Sequence, residues 1–339
     1  MAVVRPPVEM ALLRAEKQVP TSSTARPLSF ESKMDGWRGV LFPRDGVLQS
    51  RRDNNLADRF PELFAAATSL GDVVLDGEIV AHRDGRLDFG SLAGSPRTRA
   101  ESGAVIYYVA FDLLAEGHRD HRSSTYQQRR ARLEQLMHGV PPPLQLMPAT
   151  TDRDQAMTWM DPACARVGIE GVVVKPPGKP YRPGRADWIK VRSTVVVDAV
   201  VVGVTGDPNH PTELVLARPD PPGALQGIGL SHALSDALRA EAGPHLALTG
   251  EGSRKISTGV FGRPSVTEYR PVHPSLVVEV RAESSVLVFT NRQRPRVHRV
   301  RLDLSPDDVV PERDRVVDEG HGPVVGSNRA VSSWTKKLL

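Results

Sequence analysis

The sequence predicts an α+β protein built in two parts, on three observations. Its 339 residues are about twice what one core of roughly 150 residues needs. Up to about residue 192, apolar residues recur mostly at strand spacing, with two stretches at helical spacing among them. The composition then shifts to short Val-rich runs around one helix, the pattern of a small five-stranded barrel. A 40% hydrophobic, 25% charged composition is that of a folded globular chain and excludes a disordered one.

Taken in order, residues 1 to about 30 are rich in Pro, Ser and Thr and read as an extended leader. Residues 29–34 (SFESKM) alternate polar and apolar, and residues 39–42 followed by Arg44-Asp45-Gly46 read as a strand and hairpin turn. Val73 to Leu75 and Ile79-Val80 flank Asp76-Gly77-Glu78, a strand with a local bend. Residues 104–114 (AVIYYVAFDLL) suit a strand covered on both faces. Helical periodicity marks Tyr126 to Met137, then Asp152 to Val167 with Thr151 or Asp152 as N-cap. In the second part, residues 195–204, 213–217, 276–280 and 286–289 are expected strands and residues 231–241 the helix. Residues 227–229 (GIG) are too short for a phosphate loop and read as a turn. From about residue 311 no period is sustained, as in a loosely held tail.

Several chemistries are excluded early. The single cysteine, Cys164, allows no internal disulfide and no CxxC zinc site, and its neighbours Ala163, Ala165 and Val167 suggest a small buried hydrophobe. His118 and His121 are close, but no second pair stands at ligand spacing. Three prolines and several charges in the first twenty residues exclude a signal peptide. The longest apolar run, Val195 to Val204, is broken by Asp198 and too short to cross a membrane. We therefore expect an intracellular, soluble protein without membrane association.

The basic residues are lopsided, 36 Arg and 8 Lys with a net charge of +4. Arginine stays protonated, whereas a perturbed lysine can act as an amine nucleophile, so the position of each lysine carries information. Residues 33–38 (KMDGWR) place Lys33 and Asp35 on one face of an extended segment, and Gly36 lets the backbone bend or approach a ligand closely. Residues 170–175 (EGVVVK) hold Glu170 and Lys175 at opposite ends of an apolar strand. Residues 188–192 (WIKVR) alternate large apolar and cationic residues, and Lys190 with Arg192 on one face suits a phosphate. Solvated charges on a sheet edge would account for any one of these segments. Together they hold three of the eight lysines.

These segments resemble the covalent nucleotidyltransferases, and among them the ATP-dependent DNA ligases. KMDGWR is similar to the family's KxDGxR motif, EGVVVK to its fourth motif and WIKVR to its fifth. Ser50-Arg51-Arg52, Phe60-Pro61-Glu62-Leu63, Leu75-Asp76-Gly77-Glu78 and Ala110-Phe111-Asp112-Leu113-Leu114 follow the family's order. Residues 148–154 (PATTDRD), 179–183 (KPYRP) and 277–280 (VVEV) look most like the small ligase-C type of actinobacteria. The resemblance implies a nucleotidyltransferase (adenylation) domain over residues 1–193, with the leader over 1–28. An OB-fold over 194–310 and a C-terminal tail over 311–339 would follow.

It also implies a reaction and a site. Lys33 would attack the α-phosphate of ATP, AMP would pass to the 5′-phosphate of a nick, and the 3′-hydroxyl would seal it. Asp35 would orient the nucleophile or the nick, and Lys190 and Arg192 would neutralise the transferring phosphate. Phe111, on residue evidence alone a core aromatic, would stack on adenine. Glu31 and the backbone around Ser32 would read the base, Glu78 would accept from the ribose, and Arg38 and Arg51 would hold ribose or phosphate. Lys175 joins this ATP-binding set, and Glu170 would position Mg²⁺ or Mn²⁺. There is no GxxxxGK[ST] loop to take over this role.

Residues 291–301 (NRQRPRVHRVR) hold Arg292, Arg294, Arg296, Arg299 and Arg301, an arginine run expected to meet DNA phosphates. The implied partner is nicked duplex DNA, joined by DNA-repair proteins, with a monomeric enzyme working in the bacterial cytoplasm at the nucleoid. Two positions depart from the family pattern. Arg192 replaces the usual second lysine of the fifth motif, and Leu304 replaces the lysine ending the sixth, at residues 301–304 (RLDL). Two alternatives follow: an adenylation-impaired nick-binding module, and an RNA ligase of the same superfamily.

Overall fold

Apolar alternation bounded by Gly, Asp and Pro builds most of this chain from antiparallel strands. The computed structural model describes residues 3–23, 27–220, 223–258, 265–284 and 294–309, and two compact units meet between Arg192 and Ser193. In chain order the first unit holds β1 (Leu13–Glu16), β2 (Ser29–Met34), β3 (Trp37–Phe42) and β4 (Val47–Ser50). Next come α1 (Pro61–Ala67), β5 (Val73–Arg83), β6 (Arg86–Leu87), α2 (Pro96–Glu101), β7 (Val105–Glu116), β8 (Arg119–Asp120) and α3 (Tyr126–Met137). The unit closes with β9 (Leu144–Leu146), β10 (Ala149–Thr150), α4 (Arg153–Thr158), β11 (Ile169–Lys175) and β12 (Trp188–Arg192).

Two sheets carry this unit. One runs β1-β12-β11-β2-β10; the other runs β4-β3-β5-β7-β8, with β6 beside β5 and β9 beside β7. Val40, Phe42, Val80, Val109 and Phe111 of the second sheet share an apolar cluster with Met34 and Trp188 of the first. The other face of the second sheet packs on Leu63 of α1 and Leu133 of α3. The other face of the first packs on Ala156 of α4 and on Cys164. This layering sets the three lysine-bearing segments on neighbouring strands, β2, β11 and β12. Beneath them, Arg129 of α3 meets Asp112 of β7 in a fully buried pair at 2.7 Å.

Several expectations need correction. The leader is extended but firmly placed: β1 runs parallel to β12, and Val4, Val8, Met10 and Ala11 are buried. The expected helix over residues 152–167 breaks in two. Asp152 caps α4 by accepting from the N–H groups of Asp154 and Gln155, and a separate 3₁₀ turn, Pro162–Val167, starts behind a new cap at Asp161. Pro162 lacks the N–H and disfavours helical backbone at Asp161, so one helix cannot run through. Cys164 is buried with its Sγ 3.3 Å from the Thr158 carbonyl, and burial pushes its thiol up to about 11.

The second unit contains β13 (Thr194–Asp207), β14 (His210–Pro219), β15 (Leu225–Leu230), α5 (Asp236–Ala242), β16 (Arg254–Thr258), β17 (Ser265–Pro271), β18 (Val277–Glu283) and β19 (Arg296–Val300). Seven strands are therefore described where five were expected. The long β13 pairs with β14 and, at its two ends, with β17 and β18, which lets one sheet curl around the apolar cluster of Val201, Leu216, Ile228, Val278 and Val280. Residues 227–229 are not a turn but part of β15. Their glycines flank a bulge against Leu216 and Ala217, and Gly229 takes φ +131°. The helix starts later than expected because Ser235 caps it, its side chain accepting from the Leu238 N–H. The expected strand at 286–289, and the tail from 311, lie outside the described residues.

Candidate active site

The site is assembled on strand β2. Glu31 and Lys33 share one face of it, and each meets the opposite charge on β11: Lys33 Nζ donates to Glu170, and Lys175 Nζ donates to Glu31 at 2.8 and 3.0 Å. Glu170 and Lys175 are five residues apart, so a regular strand would point them to opposite faces. A one-residue bulge between Ile169 and Val172, set against Met34 and Ser32, corrects this. Gly171 makes the bulge possible. Its φ is +144°, and a Cβ there would lie 2.1 Å from the Val191 carbonyl oxygen.

Lys175 is almost wholly enclosed. Its ammonium lies 4.1 Å from the Trp188 ring centroid, 4.5 Å from Phe111 and 5.0 Å from Tyr126, and it donates to the Phe111 carbonyl at 3.1 Å. Burial pushes it below the usual lysine range, and the Glu31 carboxylate opposes that shift. Glu31 also accepts from Tyr126 Oη at 2.6 Å. Ser32 is buried beside it, its N–H toward the Pro148 carbonyl at 3.4 Å and its Oγ 3.5 Å from Met147 Sδ.

Strands β3, β5 and β7 supply the other wall. Arg38 and Glu78 are cross-strand partners. Arg38 grips Asp76 with two bonds, Nε to Oδ1 at 3.0 Å and Nη2 to Oδ2 at 2.6 Å, and donates Nη1 to the Ala11 carbonyl at 2.6 Å. Tyr181 Oη donates to Asp76 at 2.8 Å and accepts from the Ala11 N–H at 3.0 Å. The same guanidinium lies 5.4 Å from the Phe111 centroid and 5.2 Å from Trp188. Arg38 is thus largely engaged in bracing the Phe111 platform. Burial alone would lower its pKa, and Asp76 more than offsets that.

Glu78 is the electrostatically strained group. Burial pushes its carboxyl up to about 8; Lys33 and Arg38 oppose the rise while Asp35 and Glu170 add to it. Gly36 makes its close approach to protein rather than ligand, since a Cβ there would meet the Ile79 carbonyl oxygen at 2.4 Å and Glu78 Cγ at 2.7 Å. That contact fixes the turn between β2 and β3 against β5, close enough for the Asp35 charge to act on Glu78. Lys190 and Arg192, both half-buried, stand opposite Val173 and Gly171 on β12. Arg51 is not drawn in: it is exposed on the turn after β4, with no ion pair among the described residues. Asp76, Tyr126, Tyr181 and Trp188 were missed as supports, although three of them lie inside the quoted motif stretches.

The arginine run of the second unit is mostly tied down. Arg294 pairs with Glu213 and donates Nε to the Ser231 carbonyl at 3.0 Å; Arg299 pairs with Glu279 at 2.8 Å. Arg301 bonds Asp303 at 2.7 Å and Asp198 at 2.9 Å. Arg296 is exposed on β19, and Arg292 lies outside the described residues. Leu304 is half-buried against Val200, Val277 and Val309.

Residues 13–192 match the model of the ATP dependent DNA ligase domain. The chain belongs to the ATP-dependent DNA ligases. DNA ligase C2 of Mycolicibacterium smegmatis is 35% identical over 250 residues, 70% of this chain and 69% of that protein. DNA ligase C1 of the same organism is 31% identical over 300 residues, 82% of this chain and 84% of that one. The solved structure Pmar-Lig_PreS3 shares the fold with a TM-score of 0.53 at 16% identity, over 87% of this chain and 68% of that one. The α+β arrangement is that of a ligase catalytic core, a nucleotidyltransferase domain followed by an OB-fold, and membership of the family makes ATP a substrate and DNA the molecule acted on. No helix among the described residues is long and apolar enough to cross a membrane.

Proposed function

We propose that this ligase seals 5′-phosphate/3′-hydroxyl nicks in duplex DNA through an AMP carried on Lys33. The observation that carries the reading is the pairing of Lys33 with Glu170 near Glu78 and Asp35, with Glu170 on the strand next to the two cations of β12. Lys33 Nζ forms a P–N bond to the α-phosphate of ATP as the bond to pyrophosphate breaks. AMP then moves to the 5′-phosphate of the nick, and attack by the 3′-hydroxyl releases it. An amine attacks only as its free base, so the ammonium of the resting pair must first give up its proton. Lys190 and Arg192 face the phosphate as charge accumulates on it.

Among the described residues no three His, Cys, Asp or Glu side chains are grouped to hold a metal ion. Mg²⁺ is nevertheless commonly held by one or two carboxylates plus substrate phosphates. Glu170 with Glu78 fits that donor set, since the mutual repulsion that helps raise Glu78 is what a bound cation would relieve. Such an ion would neutralise phosphate charge. Phe111 and the base-facing Glu31 would hold adenine, Lys175 lying against both. The arginine-rich β19 is the segment we assign to DNA, and a monomer acting with repair proteins in the cytoplasm is the setting we infer.

The test uses α-labelled ATP and Mg²⁺. A labelled adduct is expected on the parent protein and not on Lys33→Ala, with the variant keeping its fold. Full labelling of the variant would mean that another residue is the nucleophile. One observation favours a second reading, a nick-binding module that adenylates poorly: Leu304 sits in an apolar cluster where the family carries a lysine. A parent protein that binds nicked DNA but yields no adduct would decide for it.

A further inference from the structure

The outer face of the β13-β18-β19 sheet carries charges in ordered rows. Val278, Val280 and Ala282 are buried, so Glu279, Arg281 and Glu283 occupy the opposite face of β18. In one row, Asp198, Glu279 and Arg299 are cross-strand neighbours, and Arg301 joins the same carboxylates. Charge is balanced there. In the adjacent row, Val196 stands opposite Arg281, and Arg281 opposite Arg296. Two exposed cations are thus direct cross-strand neighbours, with an exposed valine on the far side and no ion pair to either among the described residues.

Like charges facing each other across a strand pair disfavour folding. This pair persists although the neighbouring carboxylate in the next row, Glu279, is held by Arg299 and Arg301 instead. The surrounding field is positive as well. The His232 imidazole is held below its usual range first by burial and then by Arg296 and Arg294. An unbalanced pair of guanidiniums on a sheet face is complementary to phosphate oxygens, which accept its paired N–H donors.

We propose that Arg281 and Arg296 together form the phosphate-gripping element of this unit for DNA, while Arg294 and Arg301 serve its fold. The proposal rests on the ligase reading above and narrows it. Arg281 lies outside the arginine run, on another strand, and is brought to Arg296 only by the register of β18 with β19.

Binding of a nicked duplex, followed by fluorescence anisotropy across a salt series, tests this on the full chain. Arg281→Gln and Arg296→Gln are each expected to lower the slope of log K against log salt by about 0.9, and the double variant by about 1.8. Affinity near 0.1 M salt should fall roughly five- to tenfold for each single change. Arg254→Gln, which removes an exposed cation paired with Glu251 on β16, controls for net charge and is expected to keep the parent slope. Unchanged slopes in the first two variants, or an equal loss in the third, would overturn the proposal. Melting temperatures identify any variant that has lost its fold. Adduct yield from labelled ATP, measured on the same preparations, reports on Lys33 separately, so failure there would tell against the catalytic reading alone.

Discussion

At the scale of single residues, the site is organised by carboxylates that hold cations and by one carboxyl held neutral. Glu170 and Glu31 each take a lysine, whereas desolvation of the half-buried Glu78 carboxyl pushes it up to about 8. In the unfolded chain the same group ionises near 4.5, its ordinary value. Between those values the folded state binds more protons than the unfolded state, so this group makes stability fall as pH rises. Glu78→Gln removes that dependence. Its melting temperature relative to the parent should be unchanged near pH 4 and higher by about 10 °C at pH 8. A difference that stays constant across this range would mean Glu78 is ionised in the folded protein.

At the scale of elements, the chain shows how far local pattern reaches. Helix α3 spans Tyr126–Met137 as its periodicity predicts, capped reciprocally by Thr125 and Gln128, because spacing and caps are local signals. The three lysine-bearing strands were legible for the same reason. Their pairing was not. Nothing in residues 170–175 announces that a bulge will bring Glu170 and Lys175 to one face, since the bulge exists only against β2. Strand β1 was missed because the alternation of Leu13–Glu16 spans only four residues, too few to stand out within the leader, and the segment becomes a strand by pairing with β12. Gly171→Ala therefore tests an element rather than a contact. Strain at φ +144° and the clash with Val191 should cost about 2–3 kcal/mol and misalign Glu170 with Lys33. Denaturant unfolding together with adduct yield checks this; a variant as stable and active as the parent would show that the bulge is dispensable.

At the scale of the whole molecule, the net charge of +4 says less than where the charges are used. Most described arginines of the second unit's run are neutralised by neighbouring carboxylates, and several in the first unit are buried supports. Arginine in this chain is as much a structural residue as a ligand for phosphate. The leader shows the same economy. Gln49 exchanges two hydrogen bonds with Val8, Gly184 donates to the Met10 carbonyl, and Ala11 offers its N–H to Tyr181 and its carbonyl to Arg38. The two bonds of Ala11 reach Arg38 and Tyr181, and Arg38 lies against the Phe111 ring, so the leader braces the nucleotide site proposed above. Deleting residues 1–12 would expose the surfaces that Val4, Val8 and Met10 cover, a loss of at most about 6 kcal/mol at roughly 2 kcal/mol per side chain. We expect a markedly lower melting temperature and loss of adduct formation. Tyr181→Phe is the milder form of the same test. It removes one hydroxyl that joins Ala11 to Asp76, and should cost about 1–2 kcal/mol while raising the KM for ATP more than it lowers kcat. If the phenylalanine variant lost stability but bound ATP as the parent does, the leader would be a brace for the sheet and not for the nucleotide.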